Sequence, residues 1–140
     1  MARFNADGLD ALALGLEEMA ELPDAVAEEM LAAEAEIVEK AQAGTGLRMG
    51  VHRTGVTLSS TTHGRMKRGR DGGRVMHVYP KGTNGKGVRT AEVAFLNEFG
   101  APKRGIAPRP FILTANEEAA DAAAEAAAKV YDDYLKSKNL

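Results

Sequence analysis

Between residues 9 and 37 the apolar side chains Leu9, Leu12, Leu16, Met19, Val26, Met30, Ala33 and Ile37 fall in steps of three, four and seven. That spacing puts them in one stripe along a helix, with Glu17, Glu18, Glu21, Glu28, Glu29, Glu36 and Glu39 largely off it. Pro23 occupies the place where the stripe would continue, and it removes a backbone donor and crowds the preceding turn. The register survives Pro23 and Asp24 suits a helix's first turn, so residues 1–43 are predicted helical, kinked or split at Pro23. Gly44 and Gly46 are the expected stop signals.

Beyond that stop the period changes. Leu47, Met49 and Val51 alternate with Arg48, Gly50 and His52, then Val56, Leu58 and a Ser/Thr cluster follow, which predicts strand. A second strand is expected in "RVMHVYP", stopped by Pro80, so residues 45–80 read as an antiparallel pair. A flexible basic loop at 62–74 would join its strands. A short helix over 90–99 places Phe95 and Phe99 one turn apart. A C-terminal helix spans 110–137, opened by Pro110 in its first turn or by the Thr-x-x-Glu box of Thr114 and Glu117. Its expected face is Ala119, Ala123, Ala126, Val130 and Tyr134, mostly small side chains. With no βαβ alternation, the fold class is α+β in a single domain, residues 1–140.

Charge is strongly segregated. Residues 1–43 carry 2 basic and 11 acidic side chains, residues 44–112 carry 13 and 3, and residues 113–140 carry 3 and 6. An acidic helix beside a basic middle implies either a polyanionic partner or self-complementary contacts, within one copy or between copies. Aromatics make up only 5% of the chain, a thin supply for a core, which favours completion by neighbouring copies.

The chemistry of catalysis finds little to work with. Serine occurs only at 59, 60 and 137, with no nucleophile elbow, so no enzyme and no cofactor is expected. His52, His63 and His77 lack helical ligand spacing, and with no cysteine no thiolate metal site exists. In "GTNGKG" a glycine follows Lys86 where a phosphate loop needs a hydroxyl residue. The stretch 64–74 is more suggestive, because Arg65, Lys67, Arg68, Arg70 and Arg74 could neutralise DNA phosphates or meet an acidic protein surface. It has no interleaved aromatic to stack a base. No window reaches the apolar length of a membrane span and the start lacks a signal-peptide pattern, so synthesis in the cytoplasm, with no membrane partner, is expected.

The run "AEVAFLNEFG", a short loop and "APRPFILTANEE", with "TGLR" upstream after a long helix, resembles the neck or tail-completion (head–tail joining) proteins of long-tailed bacteriophages. The matching positions are Glu98, Phe99 and Gly100, then Arg109, Pro110 and Phe111, with Thr45, Gly46, Leu47 and Arg48 upstream. The resemblance implies a virion structural protein without enzymatic activity. It would sit at the head–tail junction as a ring of six or twelve copies, touching the connector and the tail terminator or tube proteins. In the motif, Phe111 can bury a large side chain at the helix entrance, and Arg109 can bind a carboxylate, with Glu98 the candidate partner. Phe99 and Phe111 are expected to hold the short helix to the C-terminal helix, leaving Lys103, Arg104 and the rest of "GAPKRGIAPR" exposed to a neighbouring subunit.

Overall fold

Helix α1, Asp24–Arg48, starts directly behind Pro23, where a missing N–H costs nothing, and the Pro23 carbonyl accepts from Val26 and Ala27. The computed structural model describes residues 22–51 and 55–138, so the helix expected before Pro23, and with it Leu9, Leu12, Leu16 and Met19, lies outside the described residues. α1 does not stop at Gly44. It runs through Gly44 and Gly46 to Arg48, so the predicted boundary at 43 and the strand expected from 47 are both corrected. The reason is tertiary packing: a Cβ on Gly46 would stand 2.5 Å from Leu58 Cδ2 and 3.1 Å from Phe111 Cδ2. Glycine lets two bulky core side chains seat against the helix backbone there, and that contact outweighs its poor helix propensity.

The strand expected at Val56 and Leu58 is also absent. Helix α2, Val56–Ser59, forms instead, because the local hydroxyls bond back to the chain: Ser59 to the Val56 carbonyl, Ser60 and Thr61 to that of Thr57. The sheet begins later. Strand β1, Thr61–His63, pairs antiparallel with β4, Val78–Pro80, and nested between them β2, Lys67–Arg68, pairs with β3, Arg74–Val75. The segment predicted as a flexible loop at 62–74 is thus a hairpin. Its tip is closed by the Gly69 amide on the Gly73 carbonyl (2.6 Å) and by the Asp71 carboxylate accepting from the Gly73 amide (3.0 Å). Pro80 ends the sheet as expected. Helix α3, Thr90–Phe99, and helix α4, Phe111–Ser137, follow, giving an α+β fold with a long helix at each end of the described chain.

α1 and α4 run antiparallel along most of their length. Gln42 donates to Asn116 (3.0 Å) and Arg48 pairs with Glu118 (3.0 Å) at one end, while Leu22 and Met30 meet Ala127 at the other. α4 buries Phe111, Ala115, Ala119, Ala123 and Ala127, every fourth residue, so the buried stripe departs from the predicted face at Ala126. Small side chains along this seam let the two backbones approach closely. Two apolar clusters flank it. Leu22, Ala27, Met30 and Ala127 gather Val26, Met66, Val130, Tyr131 and Tyr134 at the start of α1; Val51, Leu58, Ala94 and Phe111 gather Met49 and Ile112 at its end. With 25 residues at ~1.5 Å each, α1 separates these ends by about 37 Å.

Candidate functional site

The motif segments converge where α3 delivers the chain into α4. Thr90 anchors the start of α3, its amide and hydroxyl both donating to the Gly82 carbonyl (2.9 and 3.2 Å). One turn before the end of the helix, Ala94 packs into the cluster around Phe111. At the end, Glu98 turns inward and is buried. Its carboxylate accepts from the Ile112 amide (2.8 Å) and the Leu113 amide (3.0 Å).

Glu98 is therefore the N-terminal cap of α4, supplied by another helix. Two of the orphan donors that every helix start exposes are satisfied by one carboxylate, whose charge also suits the positive end of the helix dipole. Two expectations are corrected by this. Glu98 is not the partner of Arg109, whose guanidinium donates to the Gly50 carbonyl (2.9 Å) and clasps the end of α1 to the loop. Thr114 does not open a capping box either: the helix has already begun, and its hydroxyl donates to the Pro110 carbonyl (2.7 Å).

Gly100 follows with φ +71°, and a Cβ there would lie 2.7 Å from the Ile106 carbonyl oxygen and 2.8 Å from the Pro108 nitrogen. Only glycine permits both that backbone conformation and that approach. The chain then folds on itself through an Ala101–Ile106 bridge around a single 3-10 turn, Pro102–Arg104, which presents Lys103 and Arg104 to solvent. Pro110 leads into Phe111, the largest fully buried side chain, 1% exposed.

Phe99 behaves differently from Phe111. It was expected to pack the two helices together, yet it is 64% exposed, and Phe95 one turn earlier is 61% exposed. The reason lies in the helix geometry: with Ala94 and Glu98 facing the interior, positions 95 and 99 fall on the outer side of α3. The two rings contact each other instead, with centroids 4.8 Å apart and planes tilted by 48°. Leu113, whose amide rests on the Glu98 carboxylate, exposes its side chain as well. Three exposed apolar side chains thus lie on α3 and the first turn of α4, and the connection between those helices carries Lys103 and Arg104. The spacing of Phe95 and Phe99 was visible in the sequence, but which side of α3 faces inward was not.

The basic hairpin sits at the other end of α1. Arg74 is largely buried, donating to the Leu22 carbonyl (2.8 Å) and pairing with Asp24 (3.2 Å), so it ties the hairpin to α1 and is not a free contact residue. Arg68 lies 3.8 Å from the same Asp24. Arg65, Lys67 and Arg70 are exposed and form no ion pair with any described residue. His63 pairs with Glu39 of α1. Part of the charge segregation is thus answered within the chain, basic middle against acidic helices.

Glu34 lies on α1 between Met30 and Val38, one helical turn from each, on the side that packs. Desolvation raises its carboxyl to about 7. Among the described residues no helix is long and apolar enough to cross a membrane. Comparisons of the chain with protein-family models, curated proteins and solved structures find no match.

Proposed function

We propose that the chain is a non-catalytic structural protein of a bacteriophage virion, assembling as a ring of six or twelve copies at the head–tail junction between the connector and the tail proteins. One observation carries this reading beyond the sequence resemblance. The Glu-Phe-Gly and Arg-Pro-Phe segments fold into a single unit, Glu98 capping α4 and Phe111 filling the core, which leaves Phe95, Phe99 and Leu113 exposed, with Lys103 and Arg104 exposed on the turn between α3 and α4. A monomer gains nothing from exposing a pair of aromatic rings, whereas a subunit that must meet neighbours does. The assembly is tested by light scattering and negative-stain microscopy of the protein alone and mixed with connector and tail proteins. Rings that join connector or tail proteins in the mixture are expected, whether or not they form in the protein alone; a protein that stays monomeric in both, or rings that ignore those proteins, refutes the reading.

A second reading, nucleic-acid binding, is favoured by the hairpin alone. Arg65, Lys67 and Arg70 form no ion pair with any described residue, Arg68 is only loosely held, and Arg74 is excluded by its burial against α1. Three or four phosphate contacts would give duplex DNA an affinity that falls with a log–log salt slope of about −3 to −4. Fluorescence anisotropy across a salt series measures it, and no binding at low salt eliminates it.

A further inference from the structure

The exposed face of α3 needs an occupant, and the chain contains a matching segment. Leu9, Leu12, Leu16 and Met19 make one apolar stripe at helical spacing, bordered by Asp7, Asp10, Glu17, Glu18 and Glu21. Phe95, Phe99 and Leu113 offer an apolar surface, and the exposed Lys103 and Arg104 lie on the adjoining turn. Apolar stripe meets aromatic pair and acid meets base, the pattern of an amphipathic helix laid against an apolar surface with a polar rim.

A helix over residues 9–19 would be too short to bring the segment to that face of its own chain. It is tethered at Leu22, beside Ala127 and Tyr131, whereas α3 lies against Phe111 and Gly46 at the opposite end of α1, about 37 Å away. Residues 9–19 in helical form span only about 17 Å. A neighbouring copy has no such restriction.

We infer that residues 9–19 of one copy dock on the Phe95–Phe99 face of the next, so that each chain offers its N-terminal segment to one neighbour and its α3 face to the other. Because the two surfaces are different, the contact is head to tail, and repeated by rotation it closes a ring. Such a contact rests on the self-assembly proposed above and not on the particle the ring serves.

The test is complementation between two full-length variants, followed by sedimentation velocity and by light scattering after size exclusion. Phe95→Asp/Phe99→Asp removes the docking face and keeps the segment; Leu12→Asp/Leu16→Asp removes the segment and keeps the face. Each alone is expected to be monomeric. The exposed positions of Phe95 and Phe99 leave the melting temperature of the first unchanged. An equimolar mixture is expected to give a heterodimer and nothing larger, because one productive contact remains per pair.

A charge swap covers the case in which the segment variant misfolds. Lys103→Glu/Arg104→Glu is expected to weaken assembly at least tenfold, and Glu17→Lys/Glu18→Lys in the same chain to restore it. Wild-type protein that stays monomeric up to about 1 mM overturns the inference. So does either apolar double variant that assembles like wild type, a mixture that stays monomeric, or a charge swap without effect. Rings that persist in the Phe95→Asp/Phe99→Asp variant would refute this contact and leave the junction reading standing. Head-to-tail rings that ignore connector and tail proteins would do the reverse.

Discussion

Glu98→Ala removes a buried carboxylate that accepts from two amides in the first turn of α4, and the size of the loss can be worked from those two bonds. An ordinary N-cap contributes about 1 kcal/mol, and a hydrogen bond to a charged group about 1.5–3 kcal/mol. Here the bonds are 2.8 and 3.0 Å long, and no other described side chain replaces the acceptor. Both amides would be left to whatever water can enter, and the dipole contribution would vanish with the charge. A destabilisation of about 3 kcal/mol is expected, a fall of roughly 10 °C in melting temperature for a chain of this size. Glu98→Gln keeps one oxygen as acceptor and should lose about half as much. The assay is urea unfolding followed by far-ultraviolet circular dichroism, with unchanged slope and lowered midpoint. A cycle with Arg109→Ala separates this account from the ion pair suggested by sequence: the cap requires a Glu98–Arg109 coupling below about 0.5 kcal/mol. A coupling above 1 kcal/mol, or a Glu98→Ala variant as stable as wild type, would refute the reasoning.

Three further outcomes follow from the same structure. Gly100→Ala forces a side chain into φ +71° and into backbone atoms at 2.7 and 2.8 Å, so it should cost at least about 2–3 kcal/mol in denaturant unfolding. Phe111→Ala should cost about 3–5 kcal/mol, whereas Phe99→Ala, on an exposed ring, should stay within about 0.5 kcal/mol, both read from unfolding midpoints. Glu34 gives the pH dependence. Its folded-state value lies above the unfolded one, from 4.5 to about 7, so the folded chain holds the proton more tightly. Its stability contribution is complete below about 4.5 and is lost as pH rises towards 7. Glu34→Gln should flatten that slope and, after allowance for solvent screening, be more stable than wild type at pH 8 by about 1–2 kcal/mol, measured by unfolding at pH 5 and pH 8.

The two helices after the sheet were legible in the sequence because their signals are local. Residues 90–99 and 110–137 match α3 and α4 to within one residue, since alanine content, periodicity and the prolines all act over a few turns. The end of α1 was not legible, because what carries it through Gly44 and Gly46 is the seating of Leu58 and Phe111, residues distant in sequence. The alternation of Leu47, Met49 and Val51 is a period-two pattern of only three members. Leu47 turned outward on a helix and Val51 turned inward after it reproduce the same letters. At the candidate site the burial of Phe111 could be read, but not the partner of Glu98: a carboxylate that caps amides 14 and 15 residues away leaves no short motif behind.

These differences move the place where a neighbour would bind. In the sequence the strongest invitation is charge, a basic middle facing acidic ends, and the natural interface is acidic helix against basic sheet. In the fold Arg68 and Arg74 already face Asp24, Arg48 faces Glu118 and His63 faces Glu39. Those cations are partly answered at home, and exposed pairs of this kind add little free energy when exchanged between copies. Among the described residues the exposed rings of Phe95 and Phe99 have no such charged partner and contact each other. Burying two aromatic side chains removes far more apolar surface from water than any rim charge can match, so affinity should reside on α3. Lys103 and Arg104, on the turn held open by Gly100, would then select which surface is accepted there. The Arg-Pro-Phe segment acts one step back from the contact: it fixes the start of α4, and Glu98 binds α3 to that start, so the aromatic face is presented at a defined angle.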